Sequence, residues 1–361
     1  TQTVASRRLG QKKLNQCGTA MHNGMVMALI YGIPVSALGY LYASTIVPFF
    51  LTGEAGALCQ EYTRITSLSV LFTSIGFIFQ GFFTGVEKTE YHMKVTVTSN
   101  TINVYLNAGL IYGSENLQRT FSNVYGYDLS WVSQLWGWTQ FPEMGVSGAA
   151  TATVIASFWM VLHYCFYLFK GSIRKAFKVF QFSLDIKMIK KQLRLAVPMG
   201  VQEVIITGGW AVFYKIVGMI GVIELAATEI VFQIMHASIM PAIGVGQACA
   251  TLVSKYMGEK KIVKAEKSIM ESVRWSEIIM GSIGLIFIFF PSVIIPVFTK
   301  DANIINISII GLRIIGFLQF FDAIGLTLWF ALTGAGNTLF PAVVESTLLW
   351  VLALPISYVL G

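Results

Sequence analysis

The sequence predicts an all-α, polytopic membrane protein. Its expected architecture is two parallel six-helix lobes, here incomplete, related by a pseudo-two-fold axis along the membrane normal. Three observations carry this. Of 361 residues, 55% are hydrophobic and 12% charged, with a mean hydropathy of +0.67, whereas soluble domains carry roughly 25% charged residues. Apolar runs long enough to span a bilayer, about 20 residues each, recur along the whole chain. Short segments also repeat at a spacing of 248–249 residues.

Nine runs are long enough to span, roughly 24–50, 61–86, 95–113, 145–169, 195–218, 225–253, 272–298, 304–332 and 339–361. They are too long for barrel strands and lack period-two alternation. The net charge of +7 would raise nucleic acid as a partner in a soluble chain. Here most basic residues fall in short loops between apolar runs, so no nucleic acid is expected. Arg7, Arg8, Lys12 and Lys13 precede the first run, and Lys88 and Lys94 follow the second. A group from Lys170 to Arg194 follows the fourth, and Lys255, Lys260, Lys261, Lys264 and Lys267 follow the sixth. Alternate loops hold few, so residue 1 is expected in the cytoplasm and Gly361 outside. The cysteines Cys17, Cys59, Cys165 and Cys249 show neither metal spacing nor a disulfide framework.

The repeat fixes the organisation. ASRRLGQKKL at Ala5–Leu14 matches VSKYMGEKKI at Val253–Ile262, and IVPFF at Ile46–Phe50 matches IIPVF at Ile294–Phe298. FFTGVEKT at Phe82–Thr89 matches ALTGAGNT at Ala331–Thr338. Six spans separate the copies, an even number, so both halves cross the membrane in the same sense. Relative to the other, the first half lacks two leading spans and the second lacks its sixth, so twelve is the simple completion. The expected domains are an N-terminal lobe at 1–169, a basic cytoplasmic linker at 170–194 and a C-terminal lobe at 195–361. The linker reads as a solvated segment with amphipathic character. The outer loop Ser114–Glu143 carries Tyr125, Tyr127, Trp131, Trp136, Trp138 and Phe141, which suits a helix lying at the membrane interface.

Polar residues recur at helical spacing inside several spans. They are Thr96, Asn100, Asn103 and Asn107; Glu203, Thr207, Trp210 and Tyr214; Glu229, Gln233, His236 and Met240; and Gln319, Asp322 and Trp329. Hydrogen bonds between helices explain the amides and hydroxyls as readily as a substrate path does. The carboxylates differ. The run Ile304–Phe330 is broken by charge only at Arg313 and Asp322, and a carboxylate near the bilayer centre costs on the order of 3 kcal/mol or more. Asp322 and Glu203 are therefore expected to be functional. Glu229 lies near an outer end, His236 reads as a packing residue, and Glu345 lies within two turns of a cytoplasmic end. Asp322 falls opposite Thr73 in the repeat register, so the second half is the better candidate to hold a coupling cation. A desolvated carboxylate can hold a proton or pair with Na⁺. A cationic substrate would compete for the same charge, which suffices for antiport. An enzyme would need an acid–base or metal constellation, and no HExxH, GxSxG or catalytic acid pair occurs.

Several segments together resemble one known family, the MATE (multidrug and toxic compound extrusion) transporters. They are LNAGLIYG at Leu106–Gly113, PEMGVSGAATAT at Pro142–Thr153 and LRLAVPMGVQE at Leu193–Glu203. They continue with the stretch Glu224–Lys261, then FDAIGLTLWFALTGAGNT and WVLALPISYVLG. The resemblance implies that the chain corresponds to spans three to eleven of twelve. It puts Asp322 at the family's tenth-helix acid, eleven residues before the Thr-Gly turn, where members use it in Na⁺ or H⁺ coupling. One departure stands out. The seventh-helix Glu of the Na⁺-coupled branch falls here at Ile206, and Glu203 lies one turn earlier. The implied function is a secondary active antiporter that exports organic cations or drugs in exchange for Na⁺ or H⁺, by rocking of two lobes around a central cleft. The expected coupling residues are Asp322, which would also ligate a metal cation, with Glu203 and Gln319. The expected cleft residues are Asn103, Asn107, Trp210, Tyr214, Gln233 and Trp329. No cofactor beyond the coupling ion is expected. The expected partners are small cationic or amphipathic substrates and the lipid bilayer, with a monomer in the bacterial inner membrane. The alternative, a lipid-linked saccharide flippase of the same superfamily, would need a cleft rich in Arg and Lys, which the first-half spans lack.

Overall fold

The computed structural model describes residues 1–121, 130–137 and 139–360, and all regular structure among them is helical. The chain divides into two compact units, Thr1–Ala5 with Leu14–Asp185, and Ser6–Lys13 with Ile186–Gly361. Helix α1 (Gln2–Gly10) contributes its first residues to unit 1 and the rest to unit 2.

Unit 1 continues with α2 (Leu14–Ile46), a 3₁₀ turn at Val47–Phe49, α3 (Gly53–Thr66), α4 (Ser69–Gly85) and α5 (Thr89–Tyr112). Short α6 (Ser114–Phe121) and α7 (Ser130–Ser133) precede α8 (Gly145–Leu168) and α9 (Gly171–Phe177). The expected span 61–86 is not one straight rod, because α3 and α4 meet at a 47° bend. A bend frees backbone donors, which must be satisfied inside a membrane. Here the Leu71 N–H donates to Ser36 Oγ on α2, at 3.1 Å. The core is aromatic: Phe79, Phe82, Phe83 and Tyr164 are buried, with Phe83 stacked on Tyr164 at 5.6 Å.

Helix α9, in the basic linker, buries Ile173 and Phe177, and the Phe177 ring meets Phe82 edge-on at 5.5 Å. The chain beyond it is tied to α2, where His22 Nε2 bonds the Val179 carbonyl at 2.7 Å and Thr19 pairs with Ser183 at 2.7 Å. Residues 170–185 thus pack with unit 1, and 186–194 form the first turns of the next helix. In the outer loop Trp131 is exposed, as an interfacial anchor should be, but Trp136 is buried. Trp136 stacks on Tyr105 at 5.5 Å and its indole N–H donates to the Tyr105 carbonyl. Tyr125, Tyr127 and Trp138 lie outside the described residues.

Unit 2 runs α10 (Ile186–Ile220), α11 (Val222–Gly258), α12 (Ile262–Phe289), α13 (Pro291–Ile294), a 3₁₀ turn at Ile295–Val297 and α14 (Ala302–Ala335). It ends with α15 (Leu339–Thr347), a π-helical turn at Leu348–Ala353 and α16 (Leu354–Leu360). Its core lies between α11, α12 and α14, where Val231, Ile234, Phe287, Leu312 and Ile315 pack together. Lower layers are Ala242, Met280 and Ala323, then Cys249, Val253 and Ala331. Small residues let the backbones approach, as membrane packing requires. A Cβ on Gly284 would lie 2.5 Å from the Gly316 carbonyl oxygen, and one on Gly316 would lie 2.7 Å from that of Gly284. Buried side-chain hydrogen bonds supply polar glue: Gln319 Nε2 donates to Ser238 Oγ at 2.9 Å, and Thr327 Oγ1 to Ser276 Oγ at 2.8 Å.

All nine expected spans fall on helices. Seven helices are long and apolar enough to cross a membrane among the described residues, and the bent α3–α4 pair makes an eighth. The remaining one, α5, has 24 residues. Its polar stripe Thr96, Asn100, Asn103 and Asn107 dilutes its hydropathy. Many large apolar side chains face outward, Phe49 and Phe50 at over four-fifths exposure among them. A soluble protein would not present so much apolar surface, and this is a multi-pass membrane protein.

The repeat survives at the level of the backbone. The 3₁₀ turns Val47–Phe49 and Ile295–Val297 are 248 residues apart. Lys12 at φ 58° matches Lys260 at φ 61°, and Glu87 at φ 60° matches Gly336 at φ 91°. A side chain in the left-handed region costs about 1–2 kcal/mol. Lys260→Gly should therefore raise stability by about 1 kcal/mol, read as a higher thermal midpoint in detergent with transport unchanged.

Candidate functional site

The acidic residues predicted to couple ions lie in unit 2. Helix α14 is started by Asp301, whose Oδ1 accepts from the Asn303 and Ile304 N–H groups. It is stopped by left-handed Gly336, with the Asn337 N–H returning to the Leu332 carbonyl. Between these caps Gln319 and Asp322 are one turn apart, and Trp329 follows Asp322 at i+7 on nearly the same stripe. Their environments differ. Gln319 is fully buried and donates to Ser238, while its Oε1 has no partner among the described residues. Asp322 is on the exposed side of α14 within the unit, and among the described residues it has no hydrogen-bond or ion-pair partner. The Trp329 indole nitrogen is buried and likewise unpartnered among them, and its ring meets Phe330 edge-on at 5.0 Å.

A further acid stands on the adjacent helix α12. Glu277 on α12 is half-buried, with a buried Oε1 that has no partner among the described residues. Its neighbour Ser276 accepts from Thr327, which fixes Glu277 near the level of Thr327, about 7 Å along the α14 axis from Asp322. The sequence signal was a lone charge between Trp275 and the apolar run that follows. Glu277 stands near the start of its apolar run, where a charge usually reaches water.

Glu203 on α10 is exposed within unit 2. Its neighbour Gln202 is buried and hydrogen-bonds through Nε2 to Glu345 Oε2 on α15. Glu203 lies close enough to Glu345 for their charges to interact. Two carboxylates and one amide therefore gather where α10 meets α15. Gln202 and Glu345 are 143 residues apart, so no local spacing could have linked them.

The predicted aromatic residues divide. Trp210 and Tyr214 join Phe213 and Phe232 in one cluster between α10 and α11, with Trp210 edge-on to Phe232 at 5.3 Å. The Tyr214 hydroxyl faces Glu229. Gln233, beside Phe232, is exposed. Asn103 and Asn107 belong to unit 1, one turn apart on α5, where Asn107 Nδ2 donates to Asn103 Oδ1 at 2.9 Å. Among the described residues no group of three or more His, Cys, Asp or Glu is placed to hold a metal ion.

Comparison with known proteins agrees with this architecture. The MatE family model matches residues 1–108 and 198–359. A probable multidrug resistance protein NorM of Thermotoga maritima is 30% identical over 345 residues, covering 94% of this chain and 68% of that protein. One from Listeria innocua is 23% identical over 360 residues, covering 98% and 73%. Among solved structures, a MATE crystal structure in complex with MaD3S superposes with a TM-score of 0.84 at 17% identity, covering 99% of this chain and 74% of that one. A MOP superfamily transporter from Pyrococcus furiosus gives 0.82 at 17% identity, with the same coverage.

Proposed function

The chain belongs to the MATE family of transporters, and from that premise we propose that it exports organic cations or drugs by secondary active antiport against Na⁺ or H⁺. It is a transporter and not an enzyme. The observation that carries the antiport reading is Asp322, a carboxylate in a membrane helix with no cation or hydrogen-bond donor beside it among the described residues. An intramembrane charge left without a partner is costly, and a mobile cation removes that cost. The coupling ion and the cationic substrate are then alternatives at one charge.

Gln319 positions α14 through Ser238 and leaves its Oε1 to accept from water or a bound ion. Glu277 and the α10–α15 group of Glu203 and Glu345 are further acids for a proton or for Na⁺. A Na⁺ ion at Asp322 would complete its shell with amide, hydroxyl or carbonyl oxygens. Trp210, Tyr214 and Trp329 present aromatic faces suited to an organic cation, with Gln233 beside the first two; within unit 1, Asn103 and Asn107 are the amides we propose for substrate contact. We read unit 1 as the N-terminal lobe with its linker and unit 2 as the C-terminal lobe, acting as a monomer in a bacterial inner membrane.

Cells expressing the full-length protein, loaded with a fluorescent organic cation such as ethidium, test the reading. Efflux above the vector control should stop when the Na⁺ and proton gradients are both collapsed while ATP is maintained. Efflux that continues without either gradient excludes ion-driven antiport.

A further inference from the structure

We propose that unit 2 holds a binding site for a phosphate group at its cytoplasmic end, in the cavity between the first turns of α10 and the α14–α15 turn. The cavity measures about 680 Å³. On one side stand Lys190, Lys191 and Arg194, and on the other Gly336, Asn337 and Thr338. Lys190 and Arg194 are at i and i+4, so they project from one face of α10. Among the described residues none of the three cations has an ion-pair or hydrogen-bond partner. Among the described residues no acidic one lines the cavity, and Glu345, farther along α15, is held by Gln202.

More positive charge surrounds it. Arg7 and Arg8 lie close enough to Lys191 to repel it. Arg7 donates from Nη2 to the Ala335 carbonyl at 2.8 Å, while its buried Nε has no partner among the described residues. Burial and the neighbouring Arg8 push the Arg7 guanidinium below its usual value. Arg7 Nη1 comes within 3.7 Å of the position a Cβ would take on Gly336, at the cavity wall. The same wall ends in Leu339, where α15 begins; the Phe340 N–H of that turn is taken by Asn337 Oδ1, so the basic side chains supply the attraction for an anion. Three lining basic side chains, Arg7 at the wall and no lining acid among the described residues make a site that a phosphate group completes.

The surroundings favour a lipid as its carrier. Directly beyond Arg194, the α10 face carries exposed Val197, Val201 and Val204, spaced 4 and 3. That stripe runs from the basic first turns into the apolar span, as an acyl chain does below its headgroup. Basic pockets at the cytoplasmic ends of membrane helices suit anionic headgroups. The ligand is therefore a phosphate carried by an anionic glycerophospholipid, with free phosphate as the other source of the same chemistry.

The test uses the purified full-length protein in detergent at low salt. Thermal unfolding and native mass spectrometry are read while phosphatidylglycerol, phosphatidylcholine or inorganic phosphate is added in turn. Phosphatidylglycerol should bind about tenfold more tightly than phosphatidylcholine and raise the unfolding midpoint. Combined Lys190→Gln, Lys191→Gln and Arg194→Gln should remove that preference. Lys264→Gln with Lys267→Gln, at another cavity on α12, should keep it. Equal protection by inorganic phosphate and phosphatidylglycerol keeps the site but assigns it to the free ion. Equal response of the wild-type protein to phosphatidylglycerol and phosphatidylcholine, with none to phosphate, overturns the proposal without recourse to any variant. So does a preference that survives in the triple variant.

Discussion

Asp322→Asn is expected to abolish ion-driven efflux while leaving expression and the thermal midpoint near wild type. The side chain is exposed within its unit, and among the described residues it has no partner to lose. The substitution therefore opens no cavity and breaks no hydrogen bond of the fold. Asparagine keeps size and polarity but can neither carry the negative charge nor take up a proton. If Asp322 only packs helices, the amide should replace it at little cost, because interhelical hydrogen bonds average about 0.6 kcal/mol. Dye efflux from cells, with membrane abundance measured on the same samples, separates the outcomes. Wild-type efflux at equal abundance removes Asp322 from the mechanism. Gln319→Leu is the contrasting case, because it breaks the buried bond to Ser238 and should lower the thermal midpoint.

Gly316→Val should be the most damaging single substitution to the fold of unit 2. A first side-chain atom at residue 316 would stand 2.7 Å from the Gly284 carbonyl oxygen and 3.0 Å from Phe287 Cβ and Ile288 Cγ1. Backbone atoms cannot swing aside as a side-chain tip can, so α12 and α14 must separate. Overpacking costs about 1–3 kcal/mol in ordinary cores, and a contact with backbone belongs at or above the upper end. Separation would also disturb the Thr327–Ser276 bond below it. The expected readout is loss of a monodisperse peak in size-exclusion chromatography. A wild-type midpoint in Gly316→Val would show that α12 and α14 do not approach at these glycines.

The spans were legible because each apolar run exceeds the bilayer requirement, and the repeat was legible because turn residues fall at matching positions. Lys12 and Lys260 share a left-handed turn that the sequence showed only as a common GQKK or GEKK segment. The bend between α3 and α4 was not legible. No proline or glycine marks Ser67 and Leu68, and its stabilising donor–acceptor pair comes from Ser36 on another helix. Asp322 could be read because one carboxylate in a long apolar run is conspicuous. The Gln202–Glu345 pair could not, since only the packing of α10 on α15 joins it. Glu277 could have been read, but a charge near a span's end usually reaches water, and only its buried oxygen sets it apart. By the resemblance, the seventh-helix acid of the Na⁺-coupled branch is expected at the position of Ile206, whereas the acids gathered where α10 meets α15 are Glu203 and Glu345.

Equilibrium binding of tetraphenylphosphonium to the full-length protein, titrated against Na⁺ and against pH, addresses the shared-charge claim most directly. Adding the coupling ion, whether Na⁺ or protons, should weaken binding of the organic cation in proportion to occupancy. In Asp322→Asn the affinity should be lower and indifferent to both. Affinity unchanged by either ion in the wild-type protein, or competition of equal strength in Asp322→Asn, would contradict the account.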